Sequence, residues 1–304
     1  MDTVLITGGL GFTGRHIVAA LRRGGRRVVS YNRDFATSTD PEVVPVQGEL
    51  FDIPRLTRVL QDHGVSGIVH TAAMSHPTLS LDFPVGTFAA NVEGTLGVFE
   101  AARLAGVGRV VNFSSETVYG AVDGPVDEAT PVAPSTPYAL TKVTTEWLGH
   151  IFGARYGLEV VSLRIAQVYG PGNRMPEILG DMLKAVVRGQ PFALDRGADH
   201  AFNFIYVEDV ADAALAALAA GGPPRERAYN VSSSEYWRLA DVVDLVRGEV
   251  PGAEIAVGPG LDGQLDLQGP FSIEAAARDL GFAPGWPLGR GMRAYGAWLR
   301  DHDA

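Results

Sequence analysis

The chain has 304 residues, of which 46% are hydrophobic and 20% are charged. This composition is typical of a folded globular protein and excludes a wholly disordered one. The 25 Lys and Arg residues against 35 Asp and Glu give a formal net charge of −10, which argues against nucleic acid or an anionic membrane as the main partner. Because the chain has no cysteine, disulfides, thiol nucleophiles and cysteine-based zinc sites are excluded.

No targeting or membrane signal is visible in the sequence. The first residues lack the basic start and the long apolar run of a signal peptide. The longest alanine-rich stretch, residues 210–220, contains Asp212 and is far shorter than the ~20 residues of a spanning helix. We therefore expect a soluble, cytoplasmic protein. The seven histidines show no metal-ligand spacing, so we expect no metal site.

The first 170 residues alternate short apolar runs with amphipathic stretches. The pattern predicts strands at 4–7, 27–31, 43–47, 67–71, 109–114 and 159–165. It predicts helices at 13–23, 54–62, 84–104 and 137–156. Strands that alternate with helices of this length favour an α/β fold with a doubly wound parallel sheet.

Beyond residue 170 the chain is richer in Pro and Gly and poorer in strands. Helices are predicted at 176–188, 207–219, 239–249, 273–280 and 288–300, and strands at 203–206 and 228–231. We therefore divide the chain into a first domain over 1–170 and a smaller, mostly helical region over 171–304. One or two segments of the second region can return to the main sheet.

A glycine-rich turn lies between the first predicted strand and the first predicted helix. A bound pyrophosphate needs close backbone N–H groups and a helix N-terminus that points at it, and side chains would block this approach. The strand–turn–helix context therefore predicts a dinucleotide phosphate site. Its predicted residues are Gly8, Gly11, Phe12, Thr13 and Gly14.

The end of the second predicted strand bears on the choice of cofactor. An acidic residue about 20 positions after the glycine turn binds the ribose hydroxyls of NAD, whereas a nearby Arg accommodates the extra phosphate of NADP. The chain has Asn32 followed by Arg33 there. We predict NADP as the cofactor, with NAD as the alternative.

Tyr138 and Lys142 stand four residues apart in a predicted helix, so they share one face. A phenol has a pKa of about 10, and a neighbouring ammonium stabilises the phenolate, so the pair suits acid/base chemistry at a secondary alcohol. Ser115 follows the fifth predicted strand, where ligands of such sheets bind. It lies outside any Gly-x-Ser-x-Gly turn, which argues against a hydrolase.

These motifs together resemble the extended short-chain dehydrogenase/reductase superfamily, and in particular its NAD-dependent epimerase/dehydratase family. The resemblance implies a Rossmann-type fold in which 1–170 bind the dinucleotide and 171–304 bind the substrate. It implies that Ser115 is the catalytic hydroxyl, that Tyr138 is the acid/base, and that Lys142 also holds the nicotinamide ribose. Further cofactor contacts follow from the same resemblance at Glu49, Leu50, Ala72 and Ala73.

The resemblance also implies a homodimer. In this family the helices equivalent to 84–104 and 137–156 pair with their copies as a four-helix bundle, and closed twofold dimers are the commonest assembly.

The chain departs from the family pattern where substrate is selected. Members that bind a nucleoside diphosphate sugar usually carry an Arg two residues before the Phe204-Ile205-Tyr206-Val207 run, and a second Arg before the last helices. This chain has Phe202 at the first position and no Arg in 265–270, although a diphosphate needs paired cationic donors. Arg196 remains as a possible anion contact. The candidate substrate residues are Glu116, Thr117, Gln167, Arg174 and His200.

The leading hypothesis is therefore a nicotinamide-dependent oxidoreductase. It would transfer a hydride at a secondary alcohol or ketone of a small, oxygen-rich, carbohydrate-like substrate. One alternative is a sugar-nucleotide 4-epimerase with retained NAD. Another is a non-catalytic, NAD(P)-binding redox sensor, which the presence of both Tyr138 and Lys142 disfavours. Because Glu116 stands without a second acid beside it, we do not expect a sugar dehydratase.

Overall fold

The computed structural model describes residues 2–302. The strands in chain order are β1 (Thr3–Thr7), β2 (Arg27–Asn32), β3 (Val43–Gln47), β4 (Val65–His70), β5 (Arg109–Ser115), β6 (Glu159–Ile165), β7 (Gln167–Tyr169), β8 (Phe192–Leu194), β9 (Ala201–Phe202), β10 (Phe204–Tyr206), β11 (Ala228–Val231), β12 (Trp237–Arg238) and β13 (Ile255–Val257). Seven of them form one parallel sheet in the order β3-β2-β1-β4-β5-β6-β11. This order confirms the predicted doubly wound, Rossmann-type fold.

The helices lie on both faces of this sheet and in the C-terminal region. They are α1 (Phe12–Arg23), α2 (Ile53–Asp62), α3 (Pro77–Asp82), α4 (Pro84–Phe88), α5 (Gly94–Ala105), α6 (Pro137–Tyr156), α7 (Ile178–Val187), α8 (Val207–Ala219), α9 (Leu239–Glu249), α10 (Glu274–Leu280) and α11 (Leu288–His302). Alternate residues of a strand point to opposite sides of the sheet. Both faces are buried here, because helices pack against each of them. In β1, Val4 and Ile6 pack in the core with α1 and α8, whereas Leu5 packs with α2, α5 and α6.

The helix predicted over 84–104 is present, but it is not α-helical throughout. A π-helical segment, Ala89–Glu93, separates α4 from α5. It presents Asn91, whose Oδ1 accepts a hydrogen bond from the Met74 amide at 2.8 Å and whose Nδ2 donates to the Met74 carbonyl at 3.1 Å and to Thr141 Oγ1 at 3.0 Å. These tertiary bonds hold the loop after β4 against α6. Such π segments often occur near functional sites.

The C-terminal region contributes one strand to the main sheet. β11 pairs with β6, as predicted for 228–231. The other predicted strand does not rejoin the sheet, because β10 pairs with the short β7 instead. Two further short ladders join β8 to β13 and β9 to β12. The division of the chain near residue 170 stays a prediction, and its outer ends, Met1 and 303–304, lie outside the described residues.

A separate apolar core lies beneath these short ladders. It joins α7, α9 and α11 through residues such as Leu183, Val242 and Tyr295. No helix within residues 2–302 is both long and apolar enough to cross a membrane.

Candidate active site

The sheet order reverses between β1 and β4, and parallel sheets bind ligands at the carboxyl ends of their strands beside such a reversal. The glycine turn leaves β1 at this point. Gly8 has a φ of +74°, and its carbonyl accepts a hydrogen bond from the Gly11 amide at 2.9 Å. A Cβ added at Gly14 would overlap the Gly8 carbonyl oxygen. The turn is therefore so tightly folded on itself that residue 14 cannot carry a side chain without a backbone shift.

The turn leads directly into the N-terminus of α1. Gly11 is the N-cap residue, no side chain caps the helix there, and its first turn contains no acidic residue. The amides of Phe12 and Thr13 at this N-terminus are thus available to an anion, as the helix dipole favours. The predicted phosphate-binding residues come together here.

Asn32 at the end of β2 fastens the glycine turn. Its Oδ1 accepts from the Leu10 amide at 3.0 Å, and its Nδ2 donates to the Ser30 carbonyl and hydroxyl at 3.1 and 3.0 Å. Arg33, by contrast, is 77% exposed, with its Nε 3.7 Å from Asp34 Oδ1. The sequence did not reveal that the side-chain amide of Asn32 forms a hydrogen bond with the glycine turn. The predicted preference for NADP stays a prediction that depends on Arg33.

The other predicted cofactor residues lie at the same edge of the sheet. Glu49 is exposed after β3, and its carbonyl accepts from Tyr31 Oη at 3.0 Å. Leu50 is half-buried against α5. Ala72 and Ala73 follow β4, and the Ala72 amide donates to Thr7 Oγ1 at 3.3 Å.

The structure brings Ser115, Tyr138 and Lys142 together. Ser115 ends β5, whereas Tyr138 and Lys142 lie in the first two turns of α6. The Tyr138 phenol shares a hydrogen bond with the Ser115 side chain. Lys142 Nζ donates to the Phe113 carbonyl at 2.6 Å and lies 5.5 Å from the centre of the Tyr138 ring. All three side chains are buried, so the group forms a candidate reaction centre shielded from bulk water.

Local capping interactions fix the start of α6, the helix that carries Tyr138 and Lys142. The Thr136 side chain accepts from the Ala139 amide at 3.1 Å, and Pro137 occupies the first turn, a combination that favours helix initiation. Ser80 Oγ accepts from the Tyr138 amide at 3.1 Å. The helix start is therefore fixed both by its own cap and by α3.

Burial governs the proton affinities of the reaction centre. It raises the pKa of Tyr138 to about 12, against the hydrogen bond from Ser115. It lowers the pKa of Lys142 to about 8, against the opposing effect of the Glu146 carboxylate. The pKa of the phenol is therefore raised and not lowered as expected, because desolvation of the phenolate dominates.

His70 lies beneath Lys142 and remains neutral. Burial, together with the Lys142 ammonium, lowers the pKa of His70 to about 3. Its Nε2 is 2.9 Å from Thr95 Oγ1, and its Nδ1 is 2.7 Å from Thr7 Oγ1. Because the Thr95 hydroxyl already donates to the Asn91 carbonyl at 2.5 Å, Nε2 carries the proton and donates to Thr95.

Three of the candidate substrate residues lie beside Ser115. Thr117 Oγ1 donates to Ser115 Oγ at 3.0 Å. Burial raises the pKa of the half-buried Glu116 to about 8, against the lowering effect of the Gln167 amide. At neutral pH Glu116 is thus mostly protonated and can act as a hydrogen-bond donor.

The other two candidates lie elsewhere in the C-terminal region. Arg174 is exposed in the loop between β7 and α7. His200 is 2% exposed, and its ring packs on Phe202 with 4.7 Å between ring centres. The structure does not bring either residue into contact with Ser115, Tyr138 or Lys142.

Sequence reasoning missed Gln268, which joins the C-terminal region to the reaction centre. Its Nε2 donates to the carbonyls of Glu116 and Gly120 at 2.8 and 3.1 Å. Gln268 lies in a loop without a recognisable motif, so no local signal identified it.

The family model described as the NAD dependent epimerase/dehydratase family matches residues 4–232. UDP-glucuronate 4-epimerase 4 of Arabidopsis thaliana is 26% identical over 97% of this chain and 75% of its own length. The dTDP-glucose 4,6-dehydratase of Xanthomonas campestris pv. campestris (strain B100) is 27% identical over 81% of this chain and 75% of its own length.

Solved structures agree with this match. MoeE5 in complex with UDP-glucose and NAD is 30% identical, with a TM-score of 0.88 and 100% of each chain covered. The UDP-glucose 4-epimerase of Thermus thermophilus in complex with NAD is 28% identical, with a TM-score of 0.86 and 99% of each chain covered. With its sheet order, glycine turn and Ser115–Tyr138–Lys142 centre, the chain belongs to the NAD-dependent epimerase/dehydratase family of enzymes.

Proposed function

We propose that the enzyme is a sugar-nucleotide 4-epimerase that retains NAD. The observation that carries the proposal is the convergence of Ser115, Tyr138 and Lys142 beside the reversal of the sheet order. Support comes from the names of its relatives, which include UDP-glucuronate 4-epimerases, and from MoeE5, whose complexes hold UDP-glucose or UDP-glucuronic acid with NAD. The proposal makes specific the more general hydride transfer predicted from the sequence.

Ser115, Tyr138 and Lys142 have different roles in the proposed proton transfer. Ser115 orients the substrate hydroxyl, and Tyr138 exchanges its phenolic proton with that oxygen. When bound, a nicotinamide supplies the hydride acceptor and donor. Lys142 offsets the charge of the Tyr138 phenolate, which burial otherwise disfavours. Burial of all three side chains limits access of water to them.

The chain's own residues fit a dinucleotide. The uncapped N-terminus of α1 and the side-chain-free position at Gly14 leave backbone amides for a pyrophosphate. We favour NAD because the related structures hold NAD. An NADP preference, which Arg33 suggested, is the competing prediction, and Asp34 beside Arg33 weakens it.

A second candidate is an oxidoreductase for a sugar that carries no nucleotide. Phe202, where the family pattern usually has Arg, favours it. Phe202 is buried and stacks on Phe204 with 5.2 Å between ring centres, so it offers a diphosphate no charge. A diphosphate would have to rely on exposed cations such as Arg174 and Arg196, and the Nε of Arg196 already donates to the Leu261 carbonyl at 2.7 Å.

One experiment separates the two candidates. Purified protein without added cofactor is incubated with UDP-glucose or UDP-glucuronic acid, and NMR follows the configuration at C4; Tyr138→Phe serves as the inactive control. Inversion without net formation of reduced cofactor is expected of the epimerase. If only free sugars react, and only with added NAD or NADP consumed in proportion, the second candidate is correct. Loss of water from dTDP-glucose would contradict both.

The proposed assembly is a homodimer formed by α5 and α6. Leu140, Trp147 and Ile151 form an exposed apolar stripe along α6, and Leu96 is exposed on α5. Pairing of two copies would cover this stripe and keep it from water.

Sedimentation at tens of micromolar tests the assembly. We expect a dimer, and we expect Ile151→Glu to dissociate it, since Ile151 is 47% exposed within the stripe. Leu265→Glu is the control, because Leu265 is 41% exposed but lies in a loop of the C-terminal region. A wild-type monomer across the concentration range would contradict the proposal.

A further inference from the structure

A buried ion pair lies directly behind the reaction centre. Glu146 is on α6, four residues after Lys142, and Arg164 is on β6; each side chain is only 1% exposed. The Arg164 guanidinium donates two hydrogen bonds to the Glu146 carboxylate, from Nη2 to Oε2 at 2.7 Å and from Nε to Oε1 at 2.9 Å. This bidentate geometry is the strongest arrangement available to an arginine and a carboxylate.

The pair connects the elements that carry the reactive groups. Ser114, the residue before Ser115, donates from Oγ to Glu146 Oε1 at 2.6 Å. Arg164 Nη1 donates to Tyr119 Oη at 2.8 Å, and Tyr119 Oη in turn donates to Asn230 Oδ1 at 2.7 Å. One carboxylate and one guanidinium thus join α6, the end of β5, the turn after it and β11.

The Glu146–Arg164 ion pair also affects the charge balance around Lys142. From α6, Tyr138 and Glu146 face the ammonium; from β4, His70 faces it but is neutral. Arg164 on β6 binds the same Glu146 carboxylate. Without the Glu146 carboxylate, a buried ammonium and a buried guanidinium would repel each other across the site.

Stability alone is a weak reason for such a pair. Replacing a buried ion pair by apolar groups of similar volume is often neutral or stabilising, because the desolvation cost is removed. Its position, with Lys142 one turn away and Ser115 one residue beyond Ser114, indicates a role in the chemistry instead.

We propose that Glu146, held by Arg164, is a positioning residue that keeps the Lys142 ammonium charged and fixes the strand end bearing Ser115. This inference rests on the proposed reaction centre, but it does not depend on which sugar the enzyme converts. It predicts that the proton of Lys142 is bound more weakly once the carboxylate is removed.

NADH binding to protein from which retained NAD has been removed, followed by fluorescence between pH 6 and 10, provides a readout that is independent of substrate. In the wild type the affinity for NADH should fall as the pH rises, with a midpoint near the Lys142 pKa of about 8. Glu146→Gln should move this midpoint down by about one unit, a tenfold loss of proton affinity, as expected when an opposite charge is removed nearby. Glu100→Gln is the matched control, since Glu100 forms an exposed ion pair with Arg103 on α5.

Two further variants keep the test decisive. Lys142→Met should abolish the midpoint, which assigns it to Lys142. The double variant Glu146→Gln/Arg164→Met removes the buried guanidinium together with the carboxylate that pairs with it, so it should fold even if Glu146→Gln does not. Its midpoint should also fall, by less than in the single variant, because the lost cation is farther from Lys142 than the lost carboxylate.

An unchanged midpoint in folded Glu146→Gln, or in the folded double variant, would overturn the proposal. A midpoint that survives in Lys142→Met would also overturn it. Failure to convert any tested nucleotide sugar would instead contradict the proposed function and leave these binding midpoints unaffected.

Discussion

The carboxyl edge of the main sheet and the C-terminal region hold their functional groups in different ways. At the sheet edge, Ser115, Tyr138 and Lys142 are buried and belong to regular elements, β5 and α6. In the C-terminal region, Arg174 is an exposed loop residue and His200 is buried in an aromatic cluster. The candidate catalytic residues thus lie on regular elements, whereas two of the candidate substrate residues, Arg174 and His200, lie in loops of the C-terminal region.

This difference agrees with the proposed function. Proton and hydride transfer require groups held to within a fraction of an ångström, which helices and strands provide. Selection of a substrate among related sugars is served by loops, which tolerate change without loss of the fold. Gln268 is where the two regions meet, because it bonds to the carbonyl of Glu116 beside Ser115.

The largest expected effect is that of Tyr138→Phe. It should reduce turnover by at least about 10²-fold, since the acid/base group is removed, while the fold and cofactor affinity remain near those of the wild type. Steady-state kinetics and a cofactor titration measure both. Tyr156→Phe, in the last turn of the same helix and exposed, should leave turnover unchanged. If Tyr138→Phe turned over substrate near the wild-type rate, Tyr138 would not be the acid/base of the reaction.

Gly14→Ala tests whether the glycine turn is as rigid as the buried catalytic groups. The new Cβ would overlap the Gly8 carbonyl. Overpacking typically costs about 1–3 kcal/mol, so we expect cofactor affinity to fall by roughly 10- to 100-fold. The control is Gly108→Ala, where a Cβ would meet nothing within 4 Å. Equal affinities for the two variants would show that the turn can relax.

Arg33→Ala examines the exposed edge of the cofactor site. A charge-assisted hydrogen bond contributes about 1.5–3 kcal/mol, but Arg33 is exposed and paired with Asp34. We therefore expect a loss of about tenfold in NADP affinity and almost none in NAD affinity. Titration of both cofactors into both proteins measures the difference. Equal losses for the two cofactors would mean that Arg33 is only a surface charge.

The smallest effect is expected in the C-terminal region. Arg174→Ala should raise the KM for a nucleotide sugar by about fivefold or less and leave kcat unchanged, because exposed charge contacts contribute about 0.2–1 kcal/mol. Arg58→Ala, an exposed residue of α2, is the control. A large loss of kcat in Arg174→Ala would break the contrast between the two regions, since Arg174 would then act on the chemistry itself.

Local spacing was enough to predict much of this protein. The glycine turn and the Tyr138–Lys142 pair depend on residues only a few positions apart, and helical periodicity places them without reference to the rest of the chain. The bounds of α6 and β6 agree with the predicted 137–156 and 159–165 for the same reason. The sheet could also be anticipated, because alternating strands and helices permit few topologies.

Only the tertiary structure decided the properties that arise from burial and from distant pairings. The loop after β4 bonds to Asn91, which lies in a π-helical segment within the helix predicted over 84–104. The direction of the Tyr138 pKa depends on desolvation by surrounding elements, which no sequence spacing encodes. The pairing of Glu146 with Arg164 arises because α6 packs against β6. Charges and hydrogen bonds act through space, so their partners are fixed only when the chain is folded.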